Sequence, residues 1–150
     1  MSLSNVNTKT PLALKHFVIY RVNGTANVLG DYIEFDPAEA THISENISRG
    51  ITYNNATQEF TFSRGSKYNI AVSAISSDTG NVTHDMWIEA DSTILARSYN
   101  ASNDGNMTPM MINATLTFNA NDKIKIKAPS TDAVSKLYLS IEEMSDYIAG

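Results

Sequence analysis

The sequence holds no cysteine, which excludes disulfides and thiolate zinc sites and says little about compartment. It has no run of 18 apolar residues, so no stretch reads as a membrane-spanning helix and no membrane insertion is expected. Residues 1–11 lack the basic and apolar regions of a secretory leader, and they read as a flexible lead-in or the end of a stalk. Charge is sparse: Asp, Glu, Lys and Arg make up 18% of the 150 residues and leave a net −5. Phosphate binding needs a basic surface, so this balance argues against a nucleic-acid partner. The Lys and Arg are scattered, apart from Lys123, Lys125 and Lys127, which alternate on one strand. No apolar pattern of helical period persists over a useful length, and no internal repeat appears.

Reactive chemistry is scarce as well. The three histidines, His16, His42 and His84, sit in separate segments, and each reads as a packed or surface residue rather than a ligand or base. There is no serine nucleophile elbow, no H-E-x-x-H and no phosphate-cradling glycine loop. Glu142 and Glu143 are adjacent, so on a strand they point to opposite faces and make a poor acid/base pair. The chain therefore reads as non-enzymatic and without a cofactor. Calcium is the one metal to weigh, with Asn103-Asp104-Gly105-Asn106 in one loop and Asp78 and Asp85 near another. Calcium takes roughly six to eight oxygens, the full acidic-loop spacing is missing, and Asn-Asp-Gly reads first as a turn. Trp87 reads as a core residue, with stacking on a sugar as the alternative.

What the sequence does have is alternation. At 42% hydrophobic it has the means to bury a core as one domain, assigned to 12–143, with 144–150 as a C-terminal tail. The organising stretch is 53–75, YNNATQEFTFSRGSKYNIAVSAI. Phe60 and Phe62 share one face of a strand, and residues 63–66 make a turn in which Gly65 is free to take φ > 0. Tyr68, Ile70, Val72 and Ala74 then alternate with Asn69, Ala71 and Ser73, a period of two with one small, polar face.

Similar patterns recur along the chain. Residues 12–22 form a first strand that Asn23-Gly24 is expected to stop, and 31–35 form a short one. Residues 36–39 read as about one helical turn, with Asp36 as cap and Pro37 at the first position. Residues 46–53 return to the extended form. Residues 82–90 and 93–99 flank a tight turn at Asp91-Ser92. Residues 100–109 form the longest polar loop, 110–118 and 123–128 alternate cleanly, and 136–142 form a last strand. Eight to ten short strands with regular turn signals predict an all-β sandwich or jelly roll. Seven N-x-[ST] triplets, at Asn23, Asn46, Asn55, Asn81, Asn100, Asn106 and Asn113, invite a secreted, glycosylated reading. Asn and Thr are also what strand-rich and turn-rich polar surfaces use, and several triplets fall inside strands.

Tyr53, Thr57 and Phe60, followed by Gly65 and Tyr68, resemble the signature of the tumour-necrosis-factor and complement globular-head superfamily. Residues 116–124, LTFNANDKI, are similar to the family's strand–turn–strand, 137–141 to its last strand, and 33–36 to its early Phe-Asp. The resemblance covers roughly residues 13–143. Gln58 stands where the family has glycine after the Thr, Asn121 where it has glycine before the Asp, and Gly65 precedes Tyr68 by three residues instead of two. Divergent members occur on viral and phage fibres and bacterial surface filaments, whose cysteine-free, Asn/Thr/Ser-rich composition this chain shares.

The resemblance implies a ten-strand, two-sheet, TNF-like jelly roll that forms a homotrimer around inner sheets. The small face of strand 69–73 would let another subunit approach, and Phe17, Tyr20, Tyr68 and Tyr138 would fill the trimer interface. It also implies function on loops, with Ser102, Asn103, Asp104 and Asn106 as the ligand loop. The leading expectation is a trimeric head of a fibre or surface filament, on a virion surface or otherwise extracellular, that binds a receptor or carbohydrate. The alternative is a purely structural capsid or filament subunit with no soluble ligand. A carbohydrate-processing enzyme ranks third, and polysaccharide turnover would be needed to support it.

Overall fold

Along Ser66–Ser76 every second side chain, from Tyr68 to Ser76, is buried, and those between them are part-exposed. That pattern forces one face of an extended segment inward, and it is repeated around the molecule. The structure, a computed structural model, describes residues 12–29, 31–35, 47–76, 85–98, 108–128, 133–144 and 147–148. Among these there is no helix. Thirteen strands occur: β1 Leu12–Ala13, β2 Phe17–Leu29, β3 Tyr32–Ile33, β4 Ile47–Arg49, β5 Ile51–Asn54, β6 Glu59–Phe62, β7 Ser66–Ser76, β8 Trp87–Ala90, β9 Thr93–Arg97, β10 Thr108–Phe118, β11 Lys123–Lys127, β12 Ala133–Glu143 and β13 Tyr147–Ile148.

The inner sheet runs β10-β7-β12-β2-β4 and the outer one β5-β6-β11-β8-β9, all antiparallel. Short β3 pairs with both β2 and β11, so the ladder turns a corner and ties the two layers together along one side. Between them lie Val22, Tyr68, Ile70 and Leu139 from the inner sheet and Phe60, Phe62, Ile88 and Ile126 from the outer one. Aromatic rings lock the layers. Phe62 stacks on Phe118 at 4.2 Å between centroids and packs against Tyr68 at 4.7 Å, while Phe35 meets Tyr20, Tyr53 and Phe60 edge-on. Edge-to-face and offset pairs of this kind add about 0.5–1.5 kcal/mol each beyond area burial.

Two local expectations need correcting. Asn23-Gly24 does not stop the first strand: β2 runs on to Leu29. Val22 faces Leu137 and Thr25 faces Ser135, so Asn23 and Gly24 together oppose the single residue Lys136. The dipeptide is absorbed as a bulge, with the positive φ carried by Lys136 at 50°. Gly65 does not use φ > 0 either; among the described residues Gly50 is the glycine that does, at 69°. The short β13 pairs with β1. The tight turn at Asp91-Ser92 is as expected, with φ of 46° and 63° at its two central residues, the condition for a two-residue hairpin loop. The helical turn expected at 36–39 lies outside the described residues.

Candidate functional site

The outward face of the inner sheet is a layer of side chains with no sheet above it among the described residues. Cross-strand register sorts it into rows. One row is Thr115, Asn69, Glu142, Phe17 and Arg49; the next is Asn113, Ala71, Ser140, Ile19 and Ile47; the third is Met111, Ser73, Tyr138 and Arg21. The middle columns, on β7 and β12, are mostly small and part-exposed. The rim is bulkier and wetter, with Met111 72% and Ile47 54% exposed. Phe17, Ile19, Ser140 and Glu142 line a shallow hollow on this face. A flat centre of Ala and Ser flanked by apolar and aromatic side chains lets another backbone layer approach closely and gives it something to bury.

The four aromatics expected at such an interface separate into two pairs. Phe17 and Tyr138 are on the face, and each carries a guanidinium over its ring, Arg49 at 5.8 Å and Arg21 at 5.6 Å. Tyr20 is 4% exposed and Tyr68 fully buried, both within the protomer's own core. The reason is periodicity: Phe17 and Tyr20 are an odd number of residues apart on one strand, so they point to opposite faces. Tyr68 likewise shares its face with Ile70 and Val72.

The lower end of this sheet is anchored by a buried ion pair that the sequence reading missed. Glu142 and Glu143 do diverge, with Glu142 exposed and Glu143 1% exposed. Glu143 accepts from Arg64 Nη2 at 2.5 Å, from Arg64 Nε at 3.2 Å and from the His16 backbone N–H at 3.0 Å. Arg64 also donates to the Leu14 carbonyl at 3.0 Å, and its own carbonyl accepts from Tyr68 Oη at 2.8 Å. The segments around His16 and Arg64 are therefore both tied to the Glu143 carboxylate on β12. Burial alone would raise the Glu143 pKa, but the Arg64 and His16 hydrogen bonds outweigh it and hold the carboxyl below its ordinary range. Burial pushes the Tyr68 hydroxyl up to about 12. His16, whose Nδ1 lies 3.5 Å from Tyr68 Oη, is pushed down by burial and then by Arg64. The Arg64–Glu143 partnership, 79 residues apart, carries no sequence signal.

Of the other candidates, Ser102, Asn103, Asp104 and Asn106 lie outside the described residues, as do Asp78, His42 and His84. Asp85 is buried and paired with Arg97. Trp87 is not a core residue: it stands part-exposed on the outer sheet. Among the described residues no three His, Asp or Glu side chains are placed to hold a metal.

No protein-family model and no curated protein matches the chain. Its fold does match solved structures. Murine APRIL superposes with a TM-score of 0.64 at 16% identity, covering 86% of this chain and 99% of that one. Eiger TNF from S. frugiperda gives 0.59 at 14% identity, covering 88% of this chain and 95% of that one. Both alignments span nearly a whole domain on each side, and the fold is a TNF-like jelly roll.

Proposed function

We propose that the chain is a non-enzymatic, homotrimeric binding head, displayed outside the cell or on a virion surface at the end of a fibre or filament, that engages a receptor or carbohydrate. The observation that carries this reading is the inner-sheet face. It has small residues at Ala71, Ser73 and Ser140, larger apolar or aromatic ones at Phe17, Ile19, Ile47, Tyr138 and Met111, and nothing from its own chain above it among the described residues. The family that the sequence resembles assembles through its inner sheets, and Phe17 and Tyr138 are the two expected aromatics still placed to take part. The polar loop at 100–109 keeps its assignment as a ligand loop on sequence grounds.

A long charged side chain in the middle of the face tests the reading. Ala71→Arg should dissociate the assembly while leaving the protomer folded. Thr61→Arg, on the outward side of the outer sheet, should leave assembly intact. Equal particle masses for wild type and Ala71→Arg would exclude this face as the contact.

A further inference from the structure

The outer sheet carries a second organised surface. Tyr32 on β3 faces Lys127 on β11, Lys127 faces Trp87 on β8, and Trp87 faces Arg97 on β9. Ring, cation, ring and cation thus stand side by side across four strands, a row about 14 Å long at the usual strand spacing. Lys127 Nζ lies 5.7 Å from the Tyr32 ring centre and 5.1 Å from that of Trp87, Lys125 Nζ lies 4.5 Å from Tyr32, and Arg97 Cζ lies 5.3 Å from Trp87. Beneath them Glu89 accepts from Tyr32 Oη at 2.8 Å and from Trp87 Nε1 at 3.1 Å, which fixes both rings. Arg97 is held by the buried carboxylate of Asp85.

We propose that this row is a binding site for a carboxylate-bearing saccharide, with Lys125 and Lys127 taking the carboxylate, Tyr32 and Trp87 the sugar's apolar face, and Glu89 its hydroxyls. Arg97 is paired with Asp85, and Lys125 and Lys127 share the single carboxylate of Glu89, which faces Lys125 across the strands and is stabilised by both ammonium groups, so the row carries a surplus positive charge on an otherwise acidic protein. That is complementary to an anion. Glu89 favours a ligand that brings hydroxyl donors together with a carboxylate: sugar hydroxyls can donate to the remaining lone pairs of Glu89, which the ionised groups of an acidic peptide or a phosphate chain cannot do. Amphipathic rings beside charged donors suit a ligand with one C–H face and one polar edge. The site rests on reading the chain as a binding head and names the ligand class, but it lies on the opposite sheet from the assembly face.

Trp87 is the chain's single tryptophan, so its fluorescence reports on this row without mutation. The probes are oligogalacturonate, hyaluronate fragments and sialyllactose, with methyl-esterified oligogalacturonate and poly-glutamate as controls. At least one acidic saccharide should bind by calorimetry and change Trp87 emission. Esterification of the probe, or Lys125→Gln with Lys127→Gln, should weaken binding by about tenfold or more, as expected for a lost charge-assisted contact. Three results would each overturn the site: no binding by any of the three saccharides, binding with Trp87 emission unchanged, or poly-glutamate binding as tightly as the sugars. Particle mass measured in the same buffer reads assembly separately, so a failed trimer and a failed sugar site are told apart.

Discussion

The imidazole of His16 fills the space that a side chain on Gly50 would occupy: an added Cβ there would collide with three of its ring atoms. Gly50 also holds φ at 69°, a left-handed conformation that costs an L-residue roughly 1–2 kcal/mol. Strain and collision act together, so Gly50→Ala should lose at least about 2 kcal/mol in urea unfolding. Gly65 provides the contrast, with no positive φ and a nearest neighbour 3.4 Å from an added Cβ. Gly65→Ala should cost under about 1 kcal/mol. Equal losses at the two glycines would contradict this assignment.

The Arg64–Glu143 pair makes the next prediction. Glu143 is 2% exposed at its side chain and Arg64 19%, so removing either leaves the other charge poorly solvated. Arg64→Leu or Glu143→Leu alone should destabilise by about 3 kcal/mol, and the double variant should recover part of that loss. Simple addition of the two losses would show that the pair is not coupled.

His16 gives the pH dependence. Burial lowers its pKa below the 6.5 of an unfolded histidine, Arg64 and Arg49 lower it further, and Glu143 partly opposes them. The unfolded chain therefore binds this proton more readily than the folded one. The stabilisation is present above pH 6.5 and is lost as pH falls below it. Tyr68 and Glu143 do not change charge in this window, since their pKa values lie well above and below it. Melting temperature should fall from pH 7 toward 5.5 more steeply in wild type than in His16→Gln. Parallel curves would remove His16 from the account.

Gln58 and Asn121 hold φ at 56° and 72°, and they are two of the positions where the resembled family has glycine. Relief of left-handed strain, less the entropy glycine adds to the unfolded chain, leaves a gain of about 0.5 kcal/mol for Gln58→Gly. Asn tolerates this conformation better, so Asn121→Gly should be near neutral. A loss of stability in Gln58→Gly, measured by thermal unfolding, would contradict the argument.

The alternation of Tyr68, Ile70 and Val72 was enough to place β7 and its inward face, because a period of two has one physical reading on a buried sheet. Eight to ten short strands with regular turns were enough to reach a sandwich or jelly roll, and the resemblance of Tyr53, Thr57 and Phe60 to a family signature narrowed it to a TNF-like one. Other features were not legible because they depend on partners distant in sequence. Asn23-Gly24 looks like a turn until Lys136 is seen opposite it. The resemblance implies Tyr20 and Tyr68 at the subunit interface, whereas their strand phase points them into the protomer's own core. Trp87 was read as core because tryptophan is large and apolar, and nothing local says that Lys127 and Arg97 flank it. The K-I-K-I-K run was the one available hint of a charged outer face.

The most direct test is the mass of the particle in solution, by light scattering coupled to gel filtration at micromolar concentration. Assembly through the inner-sheet face predicts three times the chain mass of 16.4 kDa, collapsing to one chain in Ala71→Arg. A monodisperse particle of 16.4 kDa for the wild type across that range would contradict the account.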